Sequence, residues 1–440
     1  MNNTFPPSVE VTNNGHLLVG GCDTIELAKK YGTPLYIIDE KIFLYNANEY
    51  LQRLKEHYDN FLVLYAAKAF ACTAIFALAN KIGLGLDIVS GGELYLALKT
   101  NFNKENIYFH GNNKLKEEIE AAVKNDTGAI ICDNFYELEL LQDMAYKENK
   151  KIKILIRLTP GIECHTHEYI KTGHLDSKFG FDIEYLDDIL KFITTKGKNL
   201  LLKGIHAHIG SQIFELKPFS DTIEILLEQF RYIKETYNIE LTELNIGGGV
   251  GITYTTSDDP ITIKEWAKII TDTIKHTCKK LNLNLPKLIC EPGRSIVGSS
   301  GITLYKAGSI KQVPNGRKYV AVDGGMADNP RPITYQARYN AVVANKINSE
   351  DTEEITIAGR YCETGDLLIK DILLPKIEPE DIIAIFSTGA YHYSMSSNYN
   401  TVPRPACVLV KDGVAEIIIE RETYEDLISK HKTPTRLCLS

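Results

Sequence analysis

The sequence predicts an α/β fold, a TIM (β/α)8 barrel with a C-terminal β-rich, sandwich- or barrel-like domain that the N-terminal strands join. Three features carry that reading. The chain has 440 residues and is 44% hydrophobic, long and apolar enough for two cores. From about residue 60 to 300, short apolar runs alternate with amphipathic stretches. Beyond about residue 305 the helical period fades and strand-like runs between turns take over.

At the N-terminus, Val9–Val19 contains Asn13-Asn14-Gly15, a hairpin-turn signal, and is expected to pair into the β-rich domain. Tyr36-Ile37-Ile38 is a further expected strand, leading into the barrel. Eight runs follow: Phe61–Tyr65, Leu86–Val89, Ile107–Phe109, Ala129–Cys132, Ile152–Leu158, Leu202–His206, Glu243–Ile246 and Lys287–Cys290. Their near-continuous apolarity suits parallel strands buried on both faces. Between them, Gly91–Thr100, Leu115–Lys124 and Ile223–Thr236 repeat apolar residues at helical spacing. Eight βα units over about 240 residues are the count and size of a TIM barrel. Then Leu304–Val313, Lys318–Val322, Glu354–Ala358, Ile382–Phe386, Cys407–Lys411 and Val414–Glu420 read as strands. The expected domains are residues 43–305 for the barrel, and 1–42 with 306–440 for the β-rich part.

Composition narrows the function. A net charge of −8 without a basic cluster lacks the electrostatic footprint of a nucleic-acid or anionic-membrane binder. No window approaches the roughly 18 apolar residues of a membrane span. The start is polar and lacks the basic and apolar regions of a signal peptide. Nine scattered cysteines, an odd number with no CxxC pair, cannot all pair within one chain. They predict a reduced, cytoplasmic protein.

The ends of the barrel runs are chemically dense, and strand C-termini are where such barrels hold their active sites. The first run ends in Lys68 within an apolar sequence, where a desolvated amine would be a good nucleophile. Gly247-Gly248-Gly249 follows the seventh run and Glu291-Pro292-Gly293-Arg294 the eighth. Glycines there let backbone N–H groups approach an anion, and these two loops commonly hold phosphate. A phosphate pocket beside such a lysine points to pyridoxal phosphate. His206 and His208 are two apart on a strand and are expected to share a face. A metal reading of that pair needs ligands that the eighth run does not offer, so no metal is expected; His208 suits stacking on a cofactor ring.

Tyr65-Ala-Ala-Lys68-Ala, His206-Ala-His208-Ile-Gly-Ser211-Gln, Gly247-Gly-Gly249, Glu291-Pro-Gly-Arg294-Ser and Cys362-Glu363-Thr364-Gly365-Asp366 resemble, in order, the signatures of the alanine-racemase-like (fold type III) pyridoxal-phosphate-dependent decarboxylases. Within these, Asn329-Pro-Arg331-Pro-Ile-Thr-Tyr335 and His165-Thr-His-Glu-Tyr-Ile-Lys-Thr-Gly173 look like the diaminopimelate decarboxylase family rather than the ornithine or arginine enzymes. The resemblance covers nearly the whole chain. One departure is Thr364, where the family usually has Ser.

The resemblance implies a pyridoxal 5'-phosphate-dependent carboxy-lyase that converts meso-2,6-diaminopimelate to L-lysine and CO2. It implies that Lys68 carries the cofactor, Glu291 bonds the pyridine nitrogen and His208 stacks on the ring. Ser211, Gly247, Gly248, Gly249, Gly293, Arg294 and Tyr391 would complete the cofactor site. Arg294, Arg331, Tyr335, Glu363 and Tyr391 would contact substrate, and Cys362 would return a proton. A homodimer with shared active sites is implied too. The charges agree: two arginines suit two carboxylates and Glu363 an ammonium, whereas ornithine lacks the distal carboxylate. Carboxynorspermidine, ornithine or arginine decarboxylation, a racemase on the same scaffold, and a catalytically dead binding homologue remain the alternatives. The long polar segment Glu163–Ser177 is expected to act as a lid ordered by substrate.

Overall fold

The computed structural model describes residues 9–162 and 177–437. The expected lid, apart from Ser177, and the His165–Gly173 motif lie outside the described residues. The chain divides into two compact units. One is Phe43–Thr253 with Ser257–Gly298; the other is Met1–Ile42, Tyr254–Thr256 and Ser299–Ser440. The break at residue 298 leaves strand Gly301–Gln312 whole, where a boundary at 305 would have cut it.

The first unit is a closed eight-stranded parallel barrel. Its strands are Phe61–Ala66, Gly85–Ile88, Ile107–Phe109, Ala129–Cys132, Ile152–Thr159, Leu200–His206, Glu243–Asn245 and Lys287–Cys290. Each pairs with the next, and the eighth returns to the first through Leu288↔Phe61 and Cys290↔Val63. A short strand, Phe181–Asp182, adds to the fifth outside the ring. Leu62, Leu64, Tyr108, Ala129, Ile131, Leu155 and Ile289 form an apolar cluster within the unit. Val63 and Tyr65, which alternate with Leu62 and Leu64, are also buried. Burial on both faces is the reason these strands read as unbroken apolar runs rather than as an alternation. Each fully buried aliphatic side chain contributes about 1.5–3 kcal/mol, so the strands hold the unit together by area rather than by any one contact.

At the start of the seventh strand, Glu243 is buried but met by Tyr108 Oη at 3.0 Å and Lys153 Nζ at 2.7 Å. Beside it Gly204 follows a register shift in the sixth strand, and a Cβ there would lie 1.8 Å from the Glu243 carbonyl oxygen.

In the second unit, Leu35–Asp39 lies between Gly301–Gln312, to which it is antiparallel, and Ala406–Lys411, to which it is parallel. The strand expected to lead into the barrel is thus built into the β-rich sheet. Three unexpected strands, Cys22–Asp23, Ala341–Val343 and Leu367–Pro375, also belong to this unit. The N-terminal hairpin forms as expected, with Val9↔Val19 and Val11↔Leu17 paired and Gly15 at φ +75° in the turn. It belongs to its own three-stranded sheet, joined to the unit by Leu17 N–H donating to Ala344 O at 2.8 Å. Leu35, Ile37, Ile302, Leu304, Ala384 and Val408 of the larger sheet form one core with Leu17 and Val19 of the hairpin. Among the described residues no helix is long and apolar enough to cross a membrane.

Gly204→Ala should unfold at lower urea by about 1–3 kcal/mol, because the added methyl has no space and the barrel wall must shift. A denaturation midpoint equal to that of the unsubstituted chain would show that the wall gives freely there.

Candidate active site

Six of the eight barrel strands end in polar groups that meet one another. Lys68 sits in the 3-10 turn Ala67–Ala69, just past the first strand. Its Nζ lies 3.3 Å from Oδ2 of Asp87, a residue of the second strand with no exposed surface. The amine therefore meets a buried carboxylate, and its side chain is 38% exposed, where the sequence suggested an apolar, desolvated surrounding. The other oxygen of Asp87 is 3.6 Å from Nε2 of His110, at the end of the third strand.

Glu291, after the eighth strand, is the centre of the face. Its Oε1 is 2.8 Å from His110 Nε2 and accepts from Asn245 Nδ2 at 2.7 Å; its Oε2 is 3.2 Å from His206 Nε2. All four side chains are buried. Burial works against the carboxylate's charge, but His110 and His206 outweigh it and hold Glu291 well below the usual carboxylate range. Burial pushes the His206 imidazole down to about 4, against the pull of Glu291. A neutral His206 agrees with its other nitrogen: Nδ1 is buried with no hydrogen-bond partner, tolerable for a bare acceptor and costly for an N–H. The charge of the pair rests on Glu291.

The sixth strand stops at His206, and His208 lies two residues beyond it. The His208 imidazole meets the glycine loop, where Nδ1 accepts from Gly248 N–H at 3.2 Å. Burial and the nearby Lys68 hold His208 well below its ordinary value, which keeps that nitrogen an acceptor. His110, His206 and Glu291 do place ligand atoms within 4.8 Å of one another. His206 is hydrogen-bonded to Glu291 at 3.2 Å, while His110 Nε2 lies 2.8 Å from Glu291 as an ion-pair contact without hydrogen-bond geometry.

The glycine loop is a cradle by necessity. Gly247 has φ +67°, and a Cβ there would meet His208 Nδ1 at 2.8 Å; a Cβ on Gly248 would meet Glu291 O at 2.2 Å. Gly293 is hemmed by Ala66 and Ala69, each 3.0 Å from where a Cβ would sit. Arg294 is buried and donates to Ser211 Oγ from Nε at 3.2 Å and Nη2 at 3.0 Å, linking the loops after strands six and eight.

The remaining expected residues lie in the second unit. Arg331 opens the short helix Arg331–Tyr335 and is only 6% exposed. Its Nε donates to Tyr339 Oη at 3.0 Å, and its guanidinium lies 5.1 Å from the Tyr335 ring centre and 5.7 Å from that of Tyr391. Among the described residues no carboxylate pairs with it. Two aromatic faces worth about 0.5–2 kcal/mol each offset only part of the cost of burying that charge. Cys362 and Glu363 sit on an exposed turn between strands Thr352–Ala358 and Leu367–Pro375. The other six described cysteines are buried, so Cys362 is set apart from the packing cysteines.

A family profile described as pyridoxal-dependent decarboxylase, pyridoxal binding domain, matches residues 44–298. The chain is 49% identical to the diaminopimelate decarboxylase of Synechocystis sp. over 99% of its own length and 94% of that protein's. The chain belongs to the diaminopimelate decarboxylase family. A crystal structure of the M. jannaschii family member in complex with L-lysine superposes with a TM-score of 0.93 at 37% identity, covering 98% of this chain and 99% of that one. The Bacillus subtilis member is 45% identical over 94% of this chain and 95% of its own. The family's cofactor is pyridoxal 5'-phosphate, and the barrel face suits it: an amine at one end, a charged buried acceptor in the middle, and a glycine cradle that no side chain fills.

The sequence reading missed Asp87, His110 and Asn245. A signal for the first exists: an acid inside the apolar run Leu86-Asp87-Ile88 has no structural reason to be there without a partner.

His206 also makes a pH prediction. The unfolded chain takes its proton near the ordinary 6.5 and the folded chain only near 4, so between these values the unfolded state holds more protons and acid favours unfolding. His206→Gln should lose less stability than the unsubstituted chain as pH falls from 6.5 to 4. Parallel stability curves for the two would mean that His206 does not titrate on unfolding.

Proposed function

We propose that this chain decarboxylates meso-2,6-diaminopimelate to L-lysine and CO2 with pyridoxal 5'-phosphate. The observation that carries the substrate is Arg331: a buried guanidinium with aromatic neighbours and no carboxylate partner among the described residues needs an anion from outside. A substrate with a second carboxylate supplies one, and ornithine does not. The M. jannaschii and Helicobacter pylori relatives, crystallised with L-lysine, are complexes with the corresponding product.

When bound, pyridoxal phosphate supplies the electron sink that accepts the bonding pair as CO2 leaves. Lys68 would anchor the cofactor. Glu291, held ionised by its buried donors, would bond the ring nitrogen and so keep the sink strong. His208 would cover the ring, and Ser211, Gly247, Gly248, Gly249, Gly293, Arg294 and Tyr391 would hold the phosphate. Arg294, Arg331, Tyr335 and Tyr391 orient the substrate, with Glu363 on an ammonium group. The Cys362 thiol returns a proton to the carbon that lost CO2. The enzyme works in the cytoplasm as a homodimer in which Cys362 serves the partner's site.

The decisive assay is CO2 release from diaminopimelate, ornithine, arginine and lysine. Diaminopimelate should be turned over far faster than the others; equal or better use of ornithine would overturn the assignment. Arg331→Ala should cost about 2–4 kcal/mol in kcat/KM for diaminopimelate while cofactor content stays unchanged.

Cys362→Ala should fold normally, because the residue is exposed, yet turn over about 10²–10⁴-fold more slowly, the range of a lost general acid. Mixing Lys68→Ala with Cys362→Ala subunits should restore part of the activity. Full activity in Cys362→Ala would remove the thiol from the reaction, and no recovery on mixing would place both residues in one chain's site.

A further inference from the structure

Arg331 and the Cys362–Glu363 pair come from two separate turns of the β-rich unit, and a third residue joins them. Asp366 is 3% exposed and closes the turn that carries Cys362, its N–H donating to Glu363 O at 3.1 Å. Its carboxylate reaches across to the other turn. Oδ1 accepts from Met326 N–H at 2.6 Å, in the segment that leads into Arg331, and Oδ2 accepts from Tyr361 N–H at 2.9 Å, beside Cys362. The fit is closed on both sides by glycine. A Cβ on Gly359 would lie 2.0 Å from Asp366 Oδ2, and one on Gly325 would lie 2.5 Å from Oδ1.

Further bonds run the same way. Arg360 N–H donates to Gly324 O at 3.0 Å, and Tyr361 Oη donates to Asp328 Oδ1 at 3.3 Å. Asp328 in turn accepts from Gly325 N–H at 3.0 Å and from Tyr305 Oη at 2.5 Å. Burial raises both carboxyls above their ordinary value, and the N–H and O–H donors around them offset part of that rise. On its far side the cysteine turn is held by Asn400, whose Oδ1 accepts from Cys362 N–H at 2.9 Å.

We propose that Asp366 is a positioning residue that fixes the Cys362–Glu363 turn to the Arg331 turn of the same chain, so that one site's carboxylate-binding arginine and the proton donor serving the partner's site move as one body. The inference rests on the roles proposed above for Arg331 and Cys362. One buried carboxylate spans both backbones, an oxygen to each, in a space that glycines close on both sides. Asn in its place keeps one acceptor oxygen but turns an NH2 toward the other backbone N–H, which loses its partner.

The test uses the full-length holoenzyme with Asp366→Asn and Asp366→Ala, beside Arg331→Ala and Cys362→Ala. Four quantities are read: melting temperature, cofactor content from the visible band, L-lysine affinity by calorimetry, and kcat and KM for diaminopimelate. Asp366→Asn is expected to keep full cofactor content, to bind L-lysine at least 10-fold more weakly, and to show a raised KM together with a lowered kcat. Arg331→Ala should move mainly KM and Cys362→Ala mainly kcat, so the double effect marks a joint held by one residue. A folded Asp366→Asn whose lysine affinity and kcat/KM stay within 2-fold of the unsubstituted chain overturns the inference. Loss of folding or of cofactor in both Asp366 variants also overturns it, since Asp366 would then serve stability alone. If Arg331→Ala and Cys362→Ala are themselves silent, the functional reading fails first and takes the inference with it. If they cripple the enzyme and Asp366→Asn does not, only the inference falls.

Discussion

Glu291 carries a carboxylate into the barrel almost out of reach of water, and partners from three other strands converge to keep it charged. Taking one of those partners away would leave a buried charge unmet, an error that costs several kcal/mol. The strands must therefore end where they do, with Asn245, His206 and His110 at one level around the ring. Barrel closure makes this possible, because it brings the eighth strand back beside the first and so sets Glu291 across from Lys68 and Asp87.

The second unit solves a related problem with the opposite sign. Its buried Arg331 is surrounded by phenol rings, which tolerate a cation without neutralising it. Each unit thus buries a charge, an acid in the barrel and a cation in the β-rich part, and the cation has no carboxylate partner among the described residues. Incomplete electrostatics of this kind is what binding energy and specificity are made from: a ligand lacking the matching group leaves the protein's charge buried and unpaired.

The glycines show how tightly backbone and chemistry are joined. Gly247 and Gly248 are required because His208 and the Glu291 carbonyl occupy the space where side chains would stand. Gly325 and Gly359 are required because Asp366 fills theirs. In each case the glycine lets another group approach the backbone more closely than a methyl group would permit.

All eight barrel strands were legible in the sequence, since burial on both faces writes a continuous apolar run into each of them. The glycine cradle, Lys68, Glu291 and Arg331 stood out for a similar local reason: glycine runs and charges at the ends of apolar strands are unusual in any single window of sequence. What no window contains is who meets whom. Asp87 beside Lys68, His110 and Asn245 around Glu291, and His208 on the Gly248 backbone are contacts across segments far apart in the chain. The strand Leu35–Asp39 belongs to the β-rich part as expected, but its own residues say only that it is a buried strand; the pairing partners at Gly301–Leu304 and Ala406–Val410 give its place in the sheet. Local sequence determined the elements and the unusual residues, through periodicity and burial. Tertiary structure alone decided their partners, because pairing of buried charges and edges of sheets is settled by which distant groups can satisfy one another once water is gone.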